Sequence, residues 1–244
     1  MPLLSTSNPK TAKGEPLGYR THILHLAPHK LSGYNTCPSA TPECSAYCLN
    51  TAGRGQFTSI QAARIRKTRW FFEHRQSFLT QLVKEILLAI ESADRAGLIP
   101  CFRLNGTSDI RWELIKIDVQ FRHRRQLIRL QANSIMELFS DIQFYDYTKI
   151  PNRRVPENYH LTFSQSTPST PIPSFPTNLA VVFSGSLPAT YRGRRVIDGT
   201  THDLRFLDPA GCIVGLLPKG RAKKAPASSP FIILAASASA EASA

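Results

Sequence analysis

Residues 76–96 carry apolar side chains at helical spacing and then run almost directly into an apolar strand. Phe78, Leu82, Ile86 and Ile90 recur every fourth residue, with Leu79, Val83 and Leu87 beside them, which gives one broad apolar face. Gly97 is a natural stop, and Pro100–Leu104 reads as a buried strand. The segment before it, Gln56–His74, holds no Pro or Gly and also reads as helix. Helix feeding strand is the signature of an α/β unit.

Shorter signals extend the pattern. His22–Leu26 reads as a first strand, residues 134–139 as a short helix, and Phe144–Thr148, Tyr159–Ser164, Leu179–Phe183 and Cys212–Leu217 as strands. The expectation is α/β, with a partly parallel, barrel-like sheet and helices, plus a strand-rich C-terminal portion. The predicted layout is an irregular arm (1–20), an α/β domain (21–165), a Pro-rich linker (166–177), a β-rich portion (178–224) and a disordered Ala/Ser tail (225–244). Hydrophobic residues make up 42% of the 244, which supports a core and argues against disorder of the whole chain. No run approaches the ~18 apolar residues of a membrane span, and Met1–Pro16 lacks the apolar centre of a signal peptide. The expected compartment is the cytoplasm, without a membrane partner.

In a reducing compartment a tight cysteine cluster suggests metal binding or catalysis rather than a disulfide. Cys37, Cys44 and Cys48 are spaced C-x6-C-x3-C. Thiolates are soft ligands for iron–sulfur iron, zinc or copper. If the segment is helical, Cys44 and Cys48 share a face. A structural zinc or a cluster commonly takes four protein ligands. His25, His29, Cys101 and Cys212 are candidates for the fourth, although Cys101 and Cys212 lie in apolar strands and read as core. Three cysteines alone would leave one metal position open. An iron–sulfur cluster (4Fe-4S), zinc and plain buried thiols all remain readings of the spacing.

Polar residues gather where strands end. Arg103–Glu113 leads from a strand into a turn containing Asn105, Ser108 and Asp109, and Phe144–Lys149 ends in Thr148 and Lys149 with Asp146 inside. Ligands of α/β sheets sit at such strand ends. Asp109 and Lys149 are therefore the catalytic candidates, and Asn105, Ser108 and Asp146 the cofactor-binding ones. Each could equally be turn chemistry. Asp198, Asp203 and Asp208 cluster with Arg205 and read as turn caps rather than a magnesium site.

Thirty Lys and Arg against seventeen Asp and Glu give a net charge of +13. Basic runs lie at 53–75, 122–129, 192–195 and 219–224. Such a chain attracts polyanions, nucleic acid or nucleotides first among them.

Together, Leu26–Cys37, Cys44–Arg54, Arg103–Glu113, Phe144–Lys149, Tyr159–Ser164 and Val196–Gly215 resemble the phage gene product 88 family over roughly residues 18–224. The resemblance implies a bacteriophage or prophage protein of unsettled activity. The family's cysteine region is similar to that of phage proteins related to radical S-adenosylmethionine enzymes, implying a cluster in a barrel-like α/β fold, with S-adenosylmethionine as a further cofactor. The chain departs from the family in a basic expansion at 114–133, in Thr200 where an Asp is expected, and in the Ala/Ser tail. The leading expectation is a cluster-bearing protein acting on nucleic acid or nucleotides. Its rivals are a nucleic-acid-binding protein with structural zinc and an accessory protein that binds a host protein.

Overall fold

The computed structural model describes residues 1–6, 9–226 and 228–235. In chain order the elements are β1 (Leu4–Ser5), α1 (Pro9–Ala12), β2 (Tyr19–Leu24), α2 (Pro42–Ala46), α3 (Thr58–Glu73), α4 (Arg75–Arg95), β3 (Ile99–Arg103), β4 (Ile117–His123), β5 (Gln126–Ala132), α5 (Ile135–Leu138), β6 (Gln143–Thr148), β7 (Tyr159–Ser164), β8 (Leu179–Ser184), β9 (Thr190–Tyr191), β10 (Arg194–Asp198), β11 (Ile213–Leu216) and β12 (Ile233–Leu234).

The sheet is mixed α/β, as the pattern predicts. Seven strands run parallel in the order β2-β3-β6-β7-β8-β11-β10, with β1 antiparallel at one edge and β9 antiparallel at the other. The sequential order from β2 to β8 is that of a barrel wall. Among the described residues, however, no pair joins β1 to β9, so the sheet is open. Beyond β8 the order inverts, because β11 inserts between β8 and β10.

Helix α4 explains the larger core. Phe78, Leu79, Leu82, Val83, Ile86, Ala89 and Ala93 are its buried positions, and all but Ala93 pack in one cluster with Leu24, Phe102 and Phe144 of the sheet and with Phe71 of α3. Each fully buried aliphatic or aromatic side chain contributes about 1.5–3 kcal/mol. The helix ends before Gly97, whose φ of +65° suits glycine and strains other residues.

Four regions depart from the predicted layout. The N-terminal arm is tied down: Leu4–Ser5 pairs with β2, and the Glu85 carboxylate accepts from the Leu3 and Leu4 amides at 2.8 Å. Residues 114–133 form the antiparallel hairpin β4–β5, whose apolar alternation was masked by its arginines. The strands of 178–224 extend the same sheet, since β8 pairs with both β7 and β11. After residue 225 the chain is not simply a tail, because β12 pairs with β8. The rest of that predicted tail, residues 236–244, lies outside the described residues, as does residue 227. No helix among the described residues is long and apolar enough to cross a membrane.

Candidate functional site at the carboxyl edge of the sheet

Parallel strands end at one edge, so the loops after β2, β3 and β6 are neighbours. The loop after β2 carries the three cysteines. Thr41 caps α2 by accepting from the Cys44 amide at 3.1 Å, and Pro42 opens the helix, where its missing N–H costs nothing. Helix α2 stops at Ala46, so Cys44 and Cys48 do not share one helix. Cys48 instead starts the next turn, its Sγ accepting from the Asn50 amide at 3.5 Å. Asn50 is itself buried and held by Gln61 and Arg64 of α3. Cys37 Sγ accepts from the His29 amide at 3.3 Å and lies 3.9 Å from the Thr107 carbonyl.

All three thiols are free and half-buried. Burial is the main cause that raises each one's pKa, taking Cys48 to about 11. They also sense one another's charge. Cys44 acts on Cys37, and both act on Cys48. Lys149 opposes the shift of Cys44, while Asp109 adds to those of Cys37 and Cys44. The donor set is thus three soft sulfurs on one loop, of the kind a cluster takes. Among the described residues, no group of three or more His, Cys, Asp and Glu is already arranged to hold a metal ion.

The turn after β3 packs against this loop, and its polar groups are occupied. The Asp109 amide donates to the Thr36 carbonyl at 2.8 Å, next to Cys37. Asn105 Oδ1 accepts from Ser108 Oγ (2.9 Å) and from the Ile110 amide (2.8 Å), while its Nδ2 donates to the Ile110 carbonyl (2.9 Å). The Asp109 carboxylate accepts from Thr148 Oγ1 and the Lys149 amide, both at 2.8 Å, and from Arg153. At Gly106 an added Cβ would sit 2.6 Å from Ile23 Cγ2 and 2.9 Å from the Leu24 carbonyl, so only glycine lets the turn lie against β2.

Beneath the turn, Asp146 is fully buried and accepts from the Asn105 amide (3.0 Å) and Tyr159 Oη (2.9 Å). Burial outweighs these bonds and the nearby Arg103, raising its pKa to about 7. Lys149 Nζ donates to Ser164 Oγ (3.0 Å) and the Gln165 carbonyl (3.1 Å). Its pKa is lowered, chiefly by burial. Sequence reasoning missed Arg153, which joins Glu113 (2.6 Å) to Asp109 (3.2 Å) with all three side chains almost enclosed. A basic residue in a loop gives no local sign of partners about forty positions away.

The structure therefore brings Cys37, Cys44, Cys48, Asn105, Ser108, Asp109 and Lys149 to one edge, with Asp146 below them. The other candidates fall elsewhere. Cys101 and Cys212 are buried in separate packing clusters of the sheet. Burial, helped by Arg64, Arg103 and Lys67, lowers the His25 pKa to about 3, so its imidazole is neutral at physiological pH. Asp203 pairs with Arg103 (2.5 Å), Asp208 with Arg205 (3.1 Å), and Asp198 caps the Thr200 amide (2.7 Å).

A cleft of about 850 Å³ opens at Cys48, lined also by His29, Asn50, Gln61, Arg221 and Lys224 among others. Among the described residues, no carboxylate lines it. Arg221 and Lys224 come from the short turn Gly220–Lys224 that follows β11.

The comparisons with known proteins add one match. A family model described as Gene product 88 matches residues 2–233. No curated protein and no solved structure matches the chain.

Proposed function

The chain belongs to the Gene product 88 family, and we propose that it is a phage or prophage protein that holds an iron–sulfur cluster through Cys37, Cys44 and Cys48 and acts on nucleic acid or a nucleotide bound beside it. The observation that carries this reading is that Cys37, Cys44 and Cys48 share one loop at the carboxyl edge of the sheet, where Cys48 lines a cleft that has two cations and, among the described residues, no carboxylate on its walls. When bound, a cluster with three protein ligands supplies one iron position open to a substrate or S-adenosylmethionine.

The residues of the chain have separable tasks. The thiols are protonated at neutral pH without a ligand, so loading releases protons and strengthens as pH rises. Lys149 lies within electrostatic reach of Cys37 and Cys44 and offsets thiolate charge. Asp109 holds the Thr36–Cys37 backbone to the end of β6. Both were catalytic candidates, and their internal bonds suit them better to positioning. Arg221 and Lys224 provide the charge for a phosphate.

Anaerobic purification with iron, sulfide and zinc analysis tests the cluster. The expected product is brown, with iron and sulfide in similar amounts, and replacing any one of the three cysteines by Ser removes the visible absorbance. A colourless protein with one zinc per chain would replace this reading with the structural-metal one. Full iron retention in all three single variants would move the site elsewhere.

A further inference from the structure

The β4–β5 hairpin has a feature that its packing does not require. Its strands pair from Ile117↔Ala132 to His123↔Gln126, leaving Arg124–Arg125 as a two-residue turn. Both arginines have positive φ, +46° and +70°. A turn of this shape is normally filled by Asn-Gly, because other side chains are strained there. Arginine at both positions places two cations at the tip at a conformational cost.

The two faces differ. Ile117, Val119 and Phe121 are buried against the α4 core, and Lys84 lies 5.2 Å over the Phe121 ring. The outer face carries Asp118, Gln120, Arg122, Leu127, Arg129 and Gln131, all exposed. Arg124 meets Glu91 at 2.9 Å and Arg129 meets Asp118 at 3.8 Å. Exposed pairs of this kind are weak and readily exchanged for other anions. Arg122 and Arg125 have no carboxylate partner among the described residues. Among the residues whose side chains are described, the outer face has no aromatic ring on which an unstacked base could rest, which favours the phosphates of a duplex over a single strand.

We propose that the outer face and tip of this hairpin dock on the phosphate backbone of duplex nucleic acid. The surface is independent of the cysteine centre. β4 runs along α4 from Gln76 toward Glu91, so the tip points toward the amino edge of the sheet, opposite the cysteines. With its inner face fixed to α4, the hairpin lies across the backbone rather than entering a groove.

The test uses the full chain and a short duplex of random sequence, with affinity measured across a salt series. Two double variants are compared with wild type: Arg124→Asn with Arg125→Gly, and Arg122→Gln with Arg129→Gln. Each should make the slope of log affinity against log salt shallower by about 0.9 per arginine removed. The Asn-Gly variant should also melt at or above the wild-type temperature, so its binding loss cannot be loss of fold. If it fails to fold, the second variant decides. An unchanged slope in a folded second variant overturns the proposal. So does tighter binding to a single strand of equal length, or displacement of the duplex by polyglutamate at matched charge. Iron content should be wild-type in both variants, which separates this outcome from failure of the cluster reading.

Discussion

The loops after β2 and β3 meet at the same edge of the same sheet, yet they use their polar groups in opposite ways. In the turn after β3, Asn105 has both amide atoms bonded, Ser108 bonds Asn105, and Asp109 has three donors. In the loop after β2, Cys37 and Cys48 accept only the intrinsically weak sulfur hydrogen bonds of the His29 and Asn50 amides, at 3.3 and 3.5 Å. Buried polar groups that are fully satisfied stiffen a fold. Groups left poorly satisfied at a strand edge are those available to a ligand. The turn after β3 is therefore scaffold for the cysteine loop, and the polar residues that looked catalytic are mostly its fastenings.

Breaking the scaffold should have the largest effect. Arg153→Met removes the cation between Asp109 and Glu113 and leaves two enclosed carboxylates facing each other. The expected loss is about 3–5 kcal/mol of unfolding free energy, measured by denaturant titration. A loss below about 1 kcal/mol would mean that the turn is not held this way.

A second test uses pH. The Asp146 pKa is raised to about 7 in the fold, from 3.8. Its contribution to stability is therefore fully present below pH ~4 and lost as pH rises toward 7. Asp146→Asn cannot ionise, so the stability of wild type relative to the variant should fall by roughly 2–4 kcal/mol across that window. A difference independent of pH would show that Asp146 titrates normally.

The smallest effect sharpens the contrast. In the metal-free protein, Cys44→Ser should change stability by less than about 1 kcal/mol, read as a shift of a few degrees in Tm. A much larger loss would make the cysteines part of the scaffold too.

Long helical segments were legible, residues 76–96 from their apolar period and Gln56–His74 from a run without Pro or Gly. Gln56–His74 and residues 76–96 became α3 and α4, and Tyr159–Ser164 matches β7. The hairpin was hidden although Ile117, Val119 and Phe121 alternate strictly. Its arginines read as a solvated run, and its turn lacks the Asn-Gly signal. Strand β12 was lost beside the Ala/Ser composition that follows it.

The sequence by itself determined the α/β class and the helices of the first half, which depend on residues close together in the chain, and the family, which depends on motifs spread along it. Tertiary structure alone decided that the sheet stays open, that β11 lies between β8 and β10, and that Asp109 fastens the cysteine loop to β6. Those outcomes depend on burial and on partners many residues apart. Desolvation and pairing act on the folded neighbourhood, which spacing along the chain does not encode.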